Sequence, residues 1–365
     1  PLRIGWCSSS KALRTWACMT SIIAGATTTA FNSLPAVARN EFVVRDYDLA
    51  TTLNCGQAFR WRQVGEAWEG VVRGRWVRLR QIHAFQPSCK STLEATTAAP
   101  VADWQWLSDY LGLNEDHAAQ LATFPDDEPM RVAVAHCRGL RLLRQEPWEC
   151  LASFILSSTK QIVQIRQCVE LLCERYGEPV VGPLETKRLF RFPAAERLSR
   201  LSEMELRECK MGFRAKYLLD AACRVSCGEL KLDLLSNLPL DEARARLMQV
   251  HGVGRKIADC VLLFSLGFDE AFPIDVWVER ALRELYFPKR RVKRLRIEHF
   301  AATHFGPHAG LAQQFLFHHR RTQPSTANNH TSLVSHLPVQ GCKLGSARRE
   351  DLLLMAKLSE PESKQ

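Results

Sequence analysis

The chain has 365 residues, 46% hydrophobic and 24% charged, with a formal net charge of +10 and a pI near 9.1. That balance builds a sizeable core in one large domain or two ordinary ones, and the basic excess points to a polyanionic partner, nucleic acid being the common one. No apolar run approaches the roughly 20 residues of a membrane span, and the 13 cysteines include no CxxC pair, so neither a membrane segment nor zinc or iron–sulfur spacing is present.

The elements are read in chain order. Residues 1–40 lack Asp and Glu, hold four Arg or Lys and are rich in Ser and Thr. Residues 1–39 read either as a targeting-like segment or as a disordered tail, or as translated upstream sequence if Met19 is the start. From Phe42 to about Phe85 the pattern alternates with period two. Phe59–Arg62, Ala67–Val71 and Trp76–Leu79 read as three strands of an antiparallel meander, with turns at Gly65-Glu66 and Gly74-Arg75. Trp61, Trp68 and Trp76 read as core aromatics, and residues 86–100 as a loop. From about Trp104 the signal is helical. Pro147 opens a helix through Leu156, as proline does in a first turn. Ile162, Ile165, Val169, Leu172 and Tyr176 form an apolar stripe that Gly177 stops. Ser202–Glu205 is a capping box, and a helix from about Arg214 to Cys227 ends at Gly228. Cys223 and Cys227 are CxxxC on that helix without a partner pair, and the scattered thiols fit buried small hydrophobes in a reducing compartment. The expectation is an α+β chain: an antiparallel β domain at 40–125, an all-α domain at 126–322 and a disordered tail at 323–365 with a Leu-rich patch at Leu352–Met355.

The segment Leu240–Asp275 carries the chemistry. A helix at about Leu240–Gln249 leads into Val250-His251-Gly252-Val253-Gly254-Arg255-Lys256, and a second helix runs from Lys256 to Leu266. Gly252 and Gly254 let the backbone approach a phosphate, which the free N–H groups of the second helix then hold. Such a grip reads no sequence, and a lone Gly-x-Gly also occurs in many tight turns. Lys256 sits in the first turn of that helix, where the macrodipole disfavours an ammonium and favours the nucleophilic amine. An ordinary solvated lysine is the plain alternative. Asp275, in Phe272-Pro273-Ile274-Asp275-Val276-Trp277, is a carboxylate in an apolar run. It can cap the next helix, whose pattern runs Val278, Leu282, Leu285, and that role is compatible with catalysis.

These stretches resemble the helix-hairpin-helix DNA glycosylases that carry a Gly/Pro-rich loop and a catalytic Asp, and within them the 8-oxoguanine DNA glycosylase family. Three further segments carry the narrower resemblance: Cys55–Trp61, Cys150–Ser158, and Gly306–Gln313 with Phe317. The match spans about residues 40–320 in the right order. It implies a bifunctional glycosylase and lyase that flips a damaged base, attacks C1′ with Lys256 and forms a Schiff base, Asp275 stabilising the positive charge on the sugar. It implies that Gly56 offers its carbonyl to the N7–H that 8-oxoguanine has and guanine lacks. Gln313 would read the Watson–Crick edge, Phe317 and Cys260 would sandwich the ring, and Phe264 would line the pocket. Phe213 would wedge into the gap left by the flipped base and Arg214 would contact the orphaned cytosine. The same resemblance assigns Ser158, Thr159, Gln164, Gly252, Gly254, Ile257 and Trp277 to the DNA surface.

Three positions depart from the family pattern: Thr159-Lys160-Gln161 replaces an asparagine run, Gln164 a second cytosine-reading arginine, and Trp277 a phosphate-contacting histidine. They bear on the opposing-base preference. The expected partner is double-stranded DNA with oxidised guanine, and the expected state is a monomer with no cofactor, no metal and no membrane contact. The expected location is intracellular, with DNA: nucleus or mitochondrion in a eukaryote, cytoplasm or nucleoid in a prokaryote. Two alternatives stand beside this reading: a glycosylase of the same fold for another lesion, and a non-catalytic DNA-binding module, which would leave Asp275, Gln313 and Gly56 unexplained.

Overall fold

A computed structural model describes residues 36–82, 90–158, 161–183, 188–288 and 290–323. The tails expected at either end lie outside the described residues, as does Thr159. Five strands form one antiparallel sheet in the order β1 (Val37–Arg45), β5 (Lys90–Ala98), β4 (Arg75–Ile82), β3 (Ala67–Val72), β2 (Arg62–Val64). The meander of β2, β3 and β4 is as expected, with Trp68 opposite Leu79. Three expectations are corrected. Most of residues 86–100, read as a loop, is β5, which pairs with both β1 and β4 inside the sheet. Its buried positions are Leu93, Ala95 and Thr97, so the strand carries a single large apolar side chain and gives little hydrophobic alternation. The strand placed at Phe59–Arg62 begins only at Arg62, because Phe59 turns away to pack edge-on against Phe154. The period-two stretch is broken by α1 (Leu49–Asn54), which Asp48 caps by accepting the Thr51 N–H at 3.0 Å.

Trp61, Trp68 and Leu79 pack under the sheet with Leu107, Tyr110 and Leu143, and the Trp61 indole donates to the Tyr110 hydroxyl at 2.8 Å. Trp76 is also buried. The rest is helical: α2 (Gln105–Tyr110), α3 (His117–Ala122), α4 (Glu128–His136), α5 (Pro147–Ser157), α6 (Ile162–Tyr176), α7 (Ala195–Leu198), α8 (Glu203–Leu206), α9 (Ala215–Ser226), α10 (Leu240–Met248), α11 (Arg255–Ser265), α12 (Val276–Tyr286), α13 (Arg294–His304) and α14 (Ala309–Thr322). Pro147 is the first residue of α5, and Glu146 accepts the N–H groups of Trp148 and Glu149. The capping box at Ser202 opens α8. Helix α5 is buried along nearly its whole length and packs on α6, α9 and α11, so it brings the start of α11 to its own C-terminal end. Asp127, the cap of α4, also accepts from the Tyr286 hydroxyl at 3.1 Å and contacts His304 Nε2 at 2.7 Å, tying α4 to α12 and α13.

Candidate active site

Helices α10 and α11 are joined by the turn Gln249–Gly254 and clamped by a buried ion pair, Arg244 Nε donating to Asp259 Oδ1 at 2.6 Å. Burial pushes the Asp259 carboxyl up against the pull of Arg244. The turn demands glycine at 252: φ is +84°, and a Cβ there would stand 2.4 Å from the Tyr217 ring. Gly254 is the N-cap of α11, without a side-chain cap, and nothing lies within 4 Å of where its Cβ would be. Ile257 is buried in the first turn of α11 and anchors it. The first N–H groups of α11 thus begin at an open, uncapped helix end.

Lys256, the second residue of α11, is half-buried. Its Nζ donates to Ser157 Oγ at 3.1 Å and lies 5.2 Å from the centre of the Phe154 ring. The Ser157 hydroxyl donates to Phe154 O at 2.7 Å, so its lone pairs face the lysine. Asp275 is the N-cap of α12, its Oδ1 accepting from the N–H groups of Trp277 and Val278 at 2.9 and 2.8 Å. No ion pair joins Lys256 to Asp275 among the described residues, but both act on the Cys260 thiol. Burial pushes that thiol up to about 12, Lys256 pulling it down and Asp275 pushing it further up, so Cys260 is a neutral thiol at neutral pH. Phe264, one turn on, stacks on Phe154 at 5.5 Å.

Helix α14 closes the other side. Its Gly310 lies so close to α11 that a Cβ would stand 2.2 Å from Leu263 Cδ1 and 2.6 Å from Ala271 O. Gln313 on this helix is only 4% exposed, and its Oε1 is buried with no partner. Gln314 donates to Cys55 O at 3.0 Å and fixes Gly56 beside the helix. Gly56 has φ +89°, and a Cβ there would stand 3.0 Å from Ile162 Cδ1 and 3.4 Å from Phe317 Cε1. Gln57 locks this segment from below, donating to Arg141 O at 2.7 Å and accepting the Leu143 N–H at 2.8 Å.

A second group lies along the same helix ends. Phe213 is 51% exposed on a turn where Lys210 and Gly212 both have positive φ. Its ring meets Tyr217 at 5.9 Å, and Tyr217 meets His251 at 4.8 Å, so the exposed ring and the glycine hairpin share one support. Arg214 is buried, its Nε donating to Ser158 Oγ at 3.0 Å and a second nitrogen to Ser158 O. Gln164 is exposed, and its Oε1 accepts the Gln161 N–H at 3.1 Å in the cap of α6. Trp277 is 45% exposed beside Asp275. The large groove bounded by β1, α3 and α4 contains none of these residues. No group of three His, Cys, Asp or Glu among the described residues could hold a metal ion, and no helix there is long and apolar enough to cross a membrane.

Sequence reasoning missed three contacts that organise the site: Ser157 on Lys256, Gln314 on the Gly56 segment, and Arg321 beside Gly56. Gln314 and Arg321 flank motif positions on α14, but no local pattern marks them.

A glycine hairpin between two helices, a lysine at its second helix and an aspartate capping the next one define a DNA glycosylase of the helix-hairpin-helix type. Residues 41–151 match the family described as 8-oxoguanine DNA glycosylase, N-terminal domain, and residues 152–304 match the HhH-GPD superfamily of base excision DNA repair proteins. The chain is similar to the N-glycosylase/DNA lyase OGG1 of Arabidopsis thaliana, 31% identical over 281 residues that cover 74% of this chain and 76% of the relative. The N-glycosylase/DNA lyase of Saccharomyces cerevisiae is 29% identical over 276 residues, 69% of this chain and 73% of that one. Among solved structures, the Clostridium acetobutylicum 8-oxoguanine glycosylase/lyase, bound to duplex DNA with cytosine opposite 8-oxoguanine, superposes with a TM-score of 0.71 at 29% identity over 80% of this chain and 99% of that one. The chain belongs to the 8-oxoguanine DNA glycosylase family of the HhH-GPD superfamily.

Proposed function

We propose that Lys256 is the nucleophile and Asp275 its electrostatic partner in a bifunctional enzyme that excises 8-oxoguanine from duplex DNA and then cleaves the strand. The observation that carries this is the placement of the Lys256 amine on Ser157, 5.2 Å from the centre of the Phe154 ring, with Lys256 and Asp275 both acting on the buried Cys260 thiol. A flipped nucleotide is required, because the duplex hides C1′ and the base edge. The neutral amine attacks C1′; the C1′–N9 bond breaks, its electron pair leaves with the base and a proton is taken up there. Asp275 stabilises the charge that develops on the sugar. The C1′–O4′ bond then breaks, O4′ takes up a proton as the sugar ring opens, and the nitrogen lone pair forms the C1′=N bond of the protonated Schiff base. Loss of a C2′ proton then expels the 3′ phosphate and nicks the strand.

The base would lie between Phe317 and Cys260 with Phe264 behind, its N7–H on the Gly56 carbonyl and its Watson–Crick edge on Gln313. The unpartnered Oε1 of Gln313 supports this reading, since a buried acceptor without a donor is costly until a ligand supplies one. The backbone at Gly252, Gly254 and Ile257, with Ser158, Thr159 and Trp277, would hold the DNA strand. Phe213 would fill the gap left by the base, while Arg214 and Gln164 would face the partner strand. The enzyme acts on DNA; we place it in the nucleus or mitochondrion of a eukaryotic cell, or in the cytoplasm or nucleoid of a prokaryotic one, as a monomer with its domains divided near residue 125. The test is borohydride trapping on duplexes with 8-oxoguanine. Lys256→Gln should abolish trapping and excision while leaving DNA binding largely intact; full excision by that variant would sink the assignment.

A further inference from the structure

We propose that Arg321 is a further base-reading residue, donating a hydrogen bond to one of the two carbonyl oxygens that flank N7–H on 8-oxoguanine. The proposal rests on the reading that Gly56 receives N7–H and that Phe317 supports the ring.

Arg321 lies on α14, one turn beyond Phe317, and its guanidinium sits 5.6 Å from the centre of the Phe317 ring. One nitrogen, Nη2, is spent on Asn54 O at 2.7 Å. That bond holds the guanidinium over the ring and aims Nη1 at Gly56, where it stands 3.5 Å from the position a Cβ would occupy. Phe317 Cε1 and Ile162 Cδ1 converge on the same point. A side chain at position 56 would fill this space; glycine leaves it open, with a cationic donor at its edge.

A second cation deepens the imbalance. Arg166 Nη2 donates to Asn54 Oδ1 at 3.3 Å, so both guanidiniums gather on one neutral residue. Neither forms an ion pair with a carboxylate among the described residues, and the Arg166 Nε is buried with no partner. Burial and the charge of Arg321 both push Arg166 down, and burial pushes Arg321 down. A group with partial negative charge at the Gly56 lip would relieve both. On 8-oxoguanine, O6 and O8 stand on either side of N7, so a base seated on the Gly56 carbonyl carries an acceptor to each side of that contact. The guanidinium fork suits such an oxygen and has donors to spare after Asn54.

The experiment compares single-turnover excision by the unsubstituted chain, Arg321→Met and Arg321→Lys on three duplexes opposite cytosine. One carries 8-oxoguanine, one its 8-thio analogue and one its 6-thio analogue. Sulfur accepts more weakly, and both analogues keep N7–H. Arg321→Met should slow excision of 8-oxoguanine by roughly ten- to a hundredfold, the worth of a charged hydrogen bond. It should leave the rate nearly unchanged on the analogue whose sulfur replaces the contacted oxygen, which also tells O8 from O6. Arg321→Lys, which keeps a donor but not the fork, should recover part of the loss. An equal loss on all three duplexes would mean that Arg321 only packs, and no loss on any would mean that it is idle; either overturns the proposal. No excision of 8-oxoguanine by the unsubstituted chain would overturn the underlying reading of function, and this one with it, before any variant is compared.

Discussion

At the scale of single residues, the site holds a buried group that no other part of the fold satisfies among the described residues. Gln313 carries it: its Oε1 is buried without a donor, a state that costs about 1–3 kcal/mol. Gln313→Leu keeps the volume and removes the unpaired acceptor. It should raise the unfolding free energy by about 1 kcal/mol, read by denaturant titration, and slow 8-oxoguanine excision about tenfold or more. A variant both less stable and fully active would show that the amide serves packing alone. The partner strand poses a second question. Arg214 is held by Ser158, and Gln164 uses its Oε1 to cap α6, so of the two only Arg214 carries a bidentate donor for an orphaned cytosine. A bidentate arginine contact discriminates by about 1–3 kcal/mol per base. Cytosine should be preferred opposite 8-oxoguanine by a margin that Gln164→Arg widens and Arg214→Ala nearly erases, measured as single-turnover excision opposite each of the four bases. The widening should occur even though Gln164→Arg gives up a capping bond worth about 0.3–1.5 kcal/mol. Strict cytosine dependence that survives Arg214→Ala would point to another reader.

At the scale of elements, the site is set by how closely α14 lies on α11. Gly310 permits that approach, and its neighbours are Leu263 and the Ala271 carbonyl, the latter unable to yield as a flexible side-chain end can. Gly310→Ala should cost about 1–3 kcal/mol by overpacking. It should also slow excision, because α14 carries Gln313 and Phe317, both assigned to the proposed base pocket. Thermal unfolding and single-turnover rates read the two effects, and a variant with unchanged stability and rate would show that the helices are not tightly docked. The same comparison explains what the sequence makes legible. The hairpin, the helix starting near Lys256 and the cap at Asp275 are local patterns, each complete within a few residues. The helices stopped by Gly177 and Gly228 are local in the same way. The contact of Lys256 with Ser157 spans 99 positions and that of Gln314 with Cys55 spans 259, and no periodicity encodes such pairings. Strand β5 escaped notice for a different reason: Ser, Thr and Ala fit a sheet interior between two neighbours but do not alternate in hydrophobicity.

At the scale of the whole molecule, two buried imidazoles couple stability to pH. His117 is 7% exposed and His318 is 9% exposed. Burial, then the charge of Arg141, pushes His117 down to about 3, with Asp46 and Asp116 opposing. Burial, then Arg321 and His136, pushes His318 down to about 4; His319 adds to the shift and Asp48 opposes it. Both rings are therefore neutral in the folded protein at a pH where the unfolded chain binds protons near 6.5. The unfolded state then holds more protons, so stability rises with pH in this window. The contribution is fully present above about 6.5 and is lost as pH falls toward 4 and 3. Each ring contributes a slope approaching about 1.4 kcal/mol per pH unit. Other groups act in the opposite sense, since burial pushes the carboxyls of Glu149 and Asp259 up. The readout is therefore the difference between parent and variant, not the slope of the parent. Denaturant titrations at pH 7.5, 6 and 5, pH values chosen to bracket the window from about 6.5 downward, should show His117→Asn and His318→Asn each flattening the acid-side loss of stability. Parallel pH curves for parent and both variants would mean that the two rings can be protonated in place, and that the packing of α14 against α3 and α4 is looser than the buried rings imply.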